Sequence, residues 1–218
     1  MQIGSRVVSI SHLVLVVLLS HGALGIAYAA DPLLPQVTIR HHQLFVQIVP
    51  EEHALAAKDR LTLEVPQPKA PIRFSLARTL QIDRIALVHR SPVAEDAIDV
   101  SFELKYGAAP DLAQEVSIPS EAVDAGVVTL DVYYHGVIND PPRDARHLRF
   151  VTPSETAGHI GPEGVYVSSE SRWYPDISES LSTYALVAAV PRGWTVVTQG
   201  KAGGSQPCPA RLCRGEQM

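Results

Sequence analysis

The fold of this chain is decided by residues 164–200, GVYVSSESRWYPDISESLSTYALVAAVPRGWTVVTQG. This segment contains both tryptophans and three of the seven tyrosines. Two apolar runs, Tyr184–Val190 and Val196–Gly200, are separated by a Pro-Arg-Gly sequence, and this pattern predicts two strands joined by a turn at Arg192-Gly193. We therefore interpret the rest of the chain as leading up to this strand pair.

Residues 1–29 have the pattern of a signal peptide. Arg6 supplies a positive charge, Leu13–Leu19 is an uninterrupted apolar run, and Ala27-Tyr28-Ala29 gives the small residues that precede a signal peptidase cut. The alternative is an uncleaved membrane anchor, but the apolar run is shorter than the roughly 20 residues that span a bilayer. We expect cleavage after Ala29, no stable membrane span afterwards, and a periplasmic or secreted protein.

The charge balance of the mature chain is mildly acidic. Removing residues 1–29 takes away one arginine and no acidic residue, which leaves 17 Lys and Arg against 23 Asp and Glu and a formal charge of −6. The basic residues form no cluster, so nucleic acid is not an expected partner. The remaining 189 residues suffice for one domain with its own core.

Alternation of apolar and polar residues marks the first two strands. It predicts strands over Gln43–Val49 and Leu61–Val65, which we expect to pair as a hairpin. Between them, Glu51–Asp59 has helical propensity but is too short for a stable isolated helix. We interpret it as a bulged connection or a single helical turn.

Further short strand candidates follow, with turn residues between them. They are Ile72–Leu76, Ile82–His89, Asp99–Lys105, Val116–Ile118 and Val127–His135. This spacing is typical of an antiparallel β-sandwich, and no long amphipathic helix competes with it. Two segments rich in polar residues, proline or glycine, Asn139–Arg146 and Thr152–Gly164, are predicted to be loops. The sequence thus predicts an all-β fold, a saddle-like antiparallel β-sandwich.

The chain divides into four predicted segments. These are a signal peptide (1–29), a proline-containing linker (30–39), the β-sandwich (40–200) and a tail (201–218). The tail has no periodicity, and its composition predicts either disorder or an altered reading frame. It contains both cysteines, Cys208 and Cys213, so the folded body needs no disulfide framework. Whether the two cysteines are bonded or free stays open.

No sequence pattern specifies a catalytic, cofactor-binding or metal-binding residue. The H-E-x-x-H spacing that places two imidazoles and a carboxylate at zinc is absent, as are a G-x-S-x-G elbow and a phosphate-binding glycine loop. Neighbouring strand residues such as His41 and His42 point to opposite faces and cannot share one ion. We therefore assign carboxylates to the solvated surface, and histidines to the surface or strand edges. These histidines are His41, His42, His53, His89, His135, His147 and His159.

A group of aromatic residues is the remaining candidate for a binding site. Trp and Tyr combine apolar area with a polar handle and could line a groove, although such residues more often anchor a sandwich core. The group is Tyr166, Trp173, Tyr174, Tyr184 and Trp194. Arg172 either stacks on the neighbouring indole or pairs with a carboxylate. The candidate carboxylates are Glu170, Asp176 and Glu179.

Two motifs in the deciding segment carry a resemblance to a known family. Arg172-Trp173-Tyr174-Pro175 precedes a strand, and Pro191-Arg192-Gly193 precedes a run that ends at Gly200. In this order they resemble the A-R-x-x-F-P-C-x-D-E-P and V-P-x-G elements of the N-terminal β-domain of M1 zinc aminopeptidases, the gluzincins related to aminopeptidase N and leukotriene A4 hydrolase. More loosely, Leu44–Val65 resembles that domain's opening hairpin, and Val128–Gly136 resembles its L-x-I-x-Y-x-G strand.

The chain also departs from the family pattern. Asp176, Ser178 and Ser180 replace the family's Cys, Asp and second Pro, and its Thr-Gln element has no counterpart here. The family's G-A-M-E-N loop and H-E-x-x-H zinc site belong to a following catalytic domain, and neither motif occurs in this sequence. The resemblance thus implies a relative of a metallopeptidase, with zinc expected only in a full-length relative.

Two hypotheses from different classes follow. The first is a secreted, non-catalytic β-domain of an M1-like peptidase that shapes the peptide cleft, in a gene product truncated shortly after Gly200. Its expected partners are a missing or separate catalytic domain and a peptide. The second is a stand-alone periplasmic or extracellular β-sandwich that binds a ligand or partner. Under either hypothesis, this chain is not expected to act as a zinc enzyme by itself.

Overall fold

The described part of the chain is built from β-strands. The computed structural model describes residues 36–90, 94–107, 113–119, 123–141, 156–178, 180–201 and 203–204. Its strands are β1 (Thr38–Val49), β2 (Ala54–Val65), β3 (Ile72–Ala77), β4 (Leu80–Arg90), β5 (Glu95–Asp99), β6 (Glu103–Tyr106), β7 (Ala113–Ile118), β8 (Gly126–Val137), β9 (Gly158–Gly161), β10 (Gly164–Val167) and β11 (Thr183–Ala189). Within those ranges, no helix is long and apolar enough to cross a membrane. The predicted all-β fold is confirmed.

Several predicted features fall outside the described residues. They are the signal peptide 1–29, the first part of the linker, most of the tail, and the cysteines Cys208 and Cys213. The end of the linker prediction can be compared, because β1 begins at Thr38, inside the segment 30–39.

β1 and β2 form a long antiparallel hairpin, and β2 extends further than its sequence indicates. Leu44 on β1 lies opposite Asp59 on β2. The prediction for Glu51–Asp59 is wrong in its second part, because a 3-10 turn ends at Glu52 and the strand begins at Ala54. β2 pairs with β1 on one side and with β8 on the other, so tertiary pairing overrides the local helical propensity.

The main layer is a six-stranded sheet with the order β11-β1-β2-β8-β4-β5. Its neighbouring strands are antiparallel except for β1 and β11, which run parallel. A parallel pair requires a crossover connection, and here most of the domain lies between the two strands in sequence. This pair departs from the purely antiparallel arrangement that was predicted, and it makes β11 an edge strand of the sheet.

One hydrophobic core joins the main sheet to a three-stranded sheet of order β3-β7-β6. Leu61 and Leu130 from the main sheet belong to the same buried cluster as Phe74 and Val116 from the smaller one. Burying such a side chain contributes about 1.5–3 kcal/mol relative to leaving it exposed. Two sheets that share a core in this way form the β-sandwich that the strand spacing predicts.

The connection between the two sheets divides one predicted strand. The sequence predicts a single strand over Asp99–Lys105, but β5 ends at Asp99 in the main sheet and β6 begins at Glu103 in the smaller sheet. Between them, Val100 and Phe102 pack against the core as the chain changes layers. The apolar alternation continues through this crossing, and it therefore does not show where pairing stops.

A short strand lies within the segment Thr152–Gly164 that was predicted to be a loop. β9 pairs with β10 in a two-stranded ladder. Ile160 on β9 is fully buried, and its N–H donates to the carbonyl of Ile138 at 3.0 Å. β9 begins and ends with glycine, a residue that is unfavourable in strands, so its sequence does not show the alternation that predicts a strand.

The deciding segment forms one of its two predicted strands. β11 confirms Tyr184–Val190 within a residue at each end, and the N–H of Trp194 donates to the carbonyl of Pro191 at 3.1 Å across the predicted turn. Val196–Gly200 forms no strand. These residues are exposed and pair with no strand of the described chain, and a strand needs a ladder partner.

Candidate functional site

The β11 edge, defined as Thr183–Ala189, exposes apolar side chains on both faces of the main sheet. In the ladder with β1, Tyr184 lies beside His42 and Val187 lies beside Phe45, so these two side chains point to opposite faces. Tyr184 is 42% exposed and Val187 is 55% exposed. In the described chain β11 pairs only with β1, so its outer backbone edge has no strand partner.

The aromatic group divides into members at the core and members at the surface. Trp173 and Tyr174 pack against the core, with their ring centroids 5.1 Å apart in an edge-to-face arrangement. Tyr166 and Tyr184 are exposed, and Trp194 is half-buried. The core interpretation is confirmed for Trp173 and Tyr174 and wrong for the two exposed tyrosines.

Arg172 fastens its loop to β3. Its backbone is left-handed, with φ of 49°, and its carbonyl accepts a hydrogen bond from the N–H of Ala77 at 2.8 Å. Its guanidinium Nη1 donates to Oγ of Ser75, also at 2.8 Å. Among the described residues it neither stacks on Trp173 nor pairs with a carboxylate, so both sequence-based alternatives are wrong there. One candidate carboxylate, Glu179, lies outside the described residues.

His42 and Asp59 form a polar pair inside the core. The sequence predicts His42 at the surface or a strand edge and Asp59 at the surface. Nδ1 of His42 lies 2.7 Å from Oδ2 of Asp59, and the two side chains are 3% and 0% exposed. Burial raises the pKa of Asp59, although the hydrogen bond to His42 acts in the opposite direction. The ring of Tyr174 meets the imidazole edge-on at 5.4 Å. The predicted positions of this histidine and this carboxylate are therefore wrong.

Tyr134 extends the buried polar pair onto β8. It lies opposite Ala57 and diagonal to Asp59, so His42, Asp59 and Tyr134 run across three adjacent strands. Burial raises the pKa of the Tyr134 hydroxyl well above its ordinary value, and the charge of Asp59 adds to the rise. The hydroxyl has no hydrogen-bond partner among the described residues. An unpaired buried polar group costs about 1–3 kcal/mol.

Replacing Tyr134 with phenylalanine is therefore expected to stabilise the protein by about 1 kcal/mol, because the ring packing stays and the unpaired hydroxyl is removed. Urea unfolding followed by circular dichroism measures the change. Tyr166→Phe is the control, since Tyr166 is 53% exposed and its variant should leave the free energy of unfolding unchanged. A clear loss of stability in Tyr134→Phe would show that the hydroxyl makes a favourable bond.

A second buried carboxylate, Asp131, lies on the outer face of β8. Arg60 binds it through Nε at 2.6 Å and through Nη2 at 2.8 Å, and Nζ of Lys58 lies at 2.9 Å. Burial alone would raise the pKa of Asp131, but the hydrogen bonds from Arg60 and Lys58 outweigh burial and lower it. The surface assignment is wrong for this carboxylate too. Its contacts join β2 to β8 and indicate a structural role.

Two histidines meet near β9. Nδ1 of His53 lies 2.5 Å from the carbonyl oxygen of Ile160, and Nε2 of His159 lies 2.5 Å from Oε1 of Glu163. The imidazole centroids are 5.6 Å apart. His159 is buried, so it is not a surface residue, but β9 is an edge strand of its two-stranded ladder, as the strand-edge alternative predicts. In the portion of the chain that is described, no group of three or more His, Cys, Asp or Glu side chains is arranged to hold a metal ion.

Comparison with known proteins finds similarity at the level of structure. No protein-family profile and no curated protein sequence matches the chain. The M1 zinc metallopeptidase of Deinococcus radiodurans, in a mutant form bound to a Tyr-Ser-Ala substrate, matches with a TM-score of 0.43 and 13% identity over 70% of this chain and 32% of that one. Native yeast LTA4 hydrolase matches with a TM-score of 0.46 and 12% identity, over 72% of this chain and 23% of that one.

The two matched proteins are named as an M1 zinc metallopeptidase and an LTA4 hydrolase. The chain spans only 32% and 23% of the two enzymes, so their activities belong to much longer proteins. Both TM-scores are below 0.5, and neither match assigns a family, activity or substrate to this chain.

Proposed function

We propose that this chain is the non-catalytic β-domain of a secreted, M1-like zinc aminopeptidase, where it supports a catalytic domain and shapes its peptide cleft. The β11 edge is the observation that carries the proposal. An edge strand with apolar side chains exposed on both faces offers a surface that another domain can cover. Zinc and the hydrolytic residues belong to the catalytic domain in this proposal, because the sequence contains no H-E-x-x-H motif.

The residues that flank β11 support the same surface. Leu181 just before the strand is 100% exposed, and Val197 beyond the turn is 90% exposed. Burial of one such side chain under a partner domain would contribute about 1.5–3 kcal/mol. The hydroxyl of Tyr184 contacts Thr198 at 2.9 Å and the carbonyl of Gln199, which holds the segment after the turn beside β11. Leu181 and Val197 therefore add exposed apolar side chains before and after β11 in the sequence.

The N-terminal sequence supports secretion. Arg6, the apolar run Leu13–Leu19 and the Ala27-Tyr28-Ala29 sequence have the order of a signal peptide. We therefore propose that the β-domain works in the periplasm or outside the cell, with a peptide as the ligand of the assembled enzyme. Cell fractionation followed by N-terminal sequencing of the mature protein tests this part, with a new N-terminus at Ala30 as the expected result.

A charged residue on the β11 edge is expected to reduce self-association of the isolated chain. The uncovered edge should bind a dye such as anilinonaphthalene sulfonate and promote dimers or larger species in sedimentation velocity. Val187→Glu should lower both the dye fluorescence and the fraction of associated protein, because a carboxylate on an edge strand opposes strand-to-strand association. The free energy of unfolding should change little, since Val187 is 55% exposed.

Val127→Glu is the matched control. Val127 is 73% exposed at the start of β8, away from the sheet edge that β11 forms, so this variant should keep the dye binding and association of the unaltered chain. An unaltered chain that sediments as a monomer and binds no dye would contradict the proposed supporting domain. That outcome would favour the stand-alone β-sandwich module instead.

A further inference from the structure

The three-stranded sheet carries an open cleft of about 350 Å³ whose walls bear charges of both signs. This volume lies at the lower end of the range for small-molecule sites, roughly 300–1,000 Å³. The cleft is bordered by residues of the three strands, by Gly107 and by Arg172. Its polar lining includes Ser75, Lys105, Tyr106, Glu115 and Arg172.

The strand register places three of these residues in one row. Ser75 on β3 lies opposite Glu115 on β7, and Glu115 lies opposite Lys105 on β6. Arg172 is held over Ser75 by the 2.8 Å hydrogen bond from its guanidinium. The order across the cleft is therefore a guanidinium, a carboxylate and an ammonium, with the carboxylate in the middle.

None of these three charges has an ion-pair partner among the described residues. Other cations of the same domain are paired, since Arg60 binds Asp131 and Arg84 binds Asp99. Arg172 also has a left-handed backbone, which is unfavourable for a residue other than glycine. Unpaired charges of both signs that converge on a concave surface can bind a ligand that carries both signs itself.

We propose that this cleft binds a small zwitterion, a free amino acid or a short peptide. Its carboxylate binds the guanidinium of Arg172, whose planar fork matches a carboxylate with two parallel hydrogen bonds. Its ammonium binds Glu115, one strand away at about 4.8 Å, a separation that a single amino-acid head group can bridge. Lys105 adds positive charge on the far side of Glu115, where a longer peptide would place its carboxylate.

The charge of Glu115 decides between a zwitterion and a simple anion. A phosphate or a simple carboxylate would meet this carboxylate in the middle of the row and be repelled. A zwitterion gains a hydrogen-bonded ion pair at the same position.

Titration of the full chain with four probes tests the proposal, using calorimetry and backbone amide shifts of the cleft residues. The probes are L-alanyl-L-alanine, its N-acetyl derivative, its C-terminal amide and inorganic phosphate. The dipeptide is expected to bind, and blocking either terminus should weaken binding at least about fivefold, since each removes a charge-assisted hydrogen bond. Glu115→Gln should also weaken dipeptide binding, and because Glu115 is exposed the fold should be retained.

Arg73→Ala and Glu103→Gln are matched controls on the same face of the same sheet. Arg73 and Glu103 flank Ser117 in the next row of the register, outside the cleft, so these variants should bind the dipeptide like the unaltered chain. Failure of the dipeptide to bind overturns the proposal. Equal binding of the N-acetyl derivative or of phosphate overturns it as well, and so does equal weakening in the controls. Each of these results leaves the β11 edge unaffected, because that edge lies in the other sheet and is measured by association.

Discussion

Replacing His42 with alanine is expected to lower the free energy of unfolding by about 3–5 kcal/mol, the loss observed when one partner of a buried polar pair is removed. Nδ1 of His42 lies 2.7 Å from Oδ2 of Asp59, and both side chains are almost completely buried. The imidazole is therefore the group that hydrogen-bonds this carboxylate in place of water. Without it, the carboxylate stays in the core with neither oxygen hydrogen-bonded, since Oδ1 has no partner in the described chain even with His42 present. Urea unfolding of the two proteins measures the difference.

The loss should also depend on pH. Burial raises the pKa of Asp59, so the folded state binds a proton at this carboxyl more readily than the unfolded chain does. Stability from this group therefore falls as the pH rises from the ordinary aspartate value of about 3.9 through the higher folded value. Removing His42 removes an interaction that opposes this rise, so His42→Ala should be more destabilised relative to the unaltered chain at pH 8 than at pH 5.

Two variants distinguish this pair from histidine–carboxylate pairs in general. His135→Ala breaks a contact of similar length, 2.8 Å to Asp83, but those side chains are 50% and 44% exposed, and the expected loss is below about 1 kcal/mol. His42→Leu combined with Asp59→Val removes both polar groups and should recover most of the stability lost in His42→Ala. A similar loss in His42→Ala and His135→Ala would contradict a special cost of burying Asp59.

The burial of His42 and Asp59 could have been predicted from their positions in the alternating pattern, although not from their residue types. His42 is in phase with Leu44 and Val46 along β1, and Asp59 is in phase with Leu61 and Leu63 along β2. Two polar residues at inward positions of neighbouring strands are therefore expected to meet in the core. Treating every histidine and carboxylate as a surface residue discards this information. The prediction for β2 was too short for a different reason, the helical propensity of Glu51–Asp59.

Other features depend on contacts that local sequence does not encode. Arg172 meets Ser75 across 97 positions of chain, and the row of charges in the cleft requires β3, β7 and β6 to pair in that order. The parallel pairing of β1 with β11 likewise follows from the arrangement of the whole sheet. Alternation predicts that a strand exists and which face is buried, but it does not specify the neighbour. This is why the all-β class is predictable from the sequence while the edge strand and the cleft are not.

Replacing Gly136 with alanine is expected to cost about 3 kcal/mol, the upper part of the range for overpacking. A Cβ atom at this position would lie 2.2 Å from the carbonyl oxygen of Thr79 and 2.9 Å from Cα of Leu80. Both atoms belong to the backbone and cannot rotate away as a side chain can. The ladder allows little adjustment, because Gly136 lies opposite Leu55 on β2 and opposite Leu80 on β4.

Gly126→Ala, at the other end of β8, is the control for this prediction. It measures the conformational strain of alanine at a positive φ without a steric clash. Gly126 has φ of 113°, but a Cβ there meets no atom within 4 Å, so Gly126→Ala should lose about 1 kcal/mol from strain alone. Thermal and urea unfolding of both variants measure the two losses side by side. Equal losses would mean that the chain around Thr79 moves to accept the methyl group, and that β4 and β8 are less rigidly joined than their ladder implies. A larger loss at Gly136, whose φ of 156° is also positive, would show that close approach of the two backbones adds to the strain of the backbone angle there.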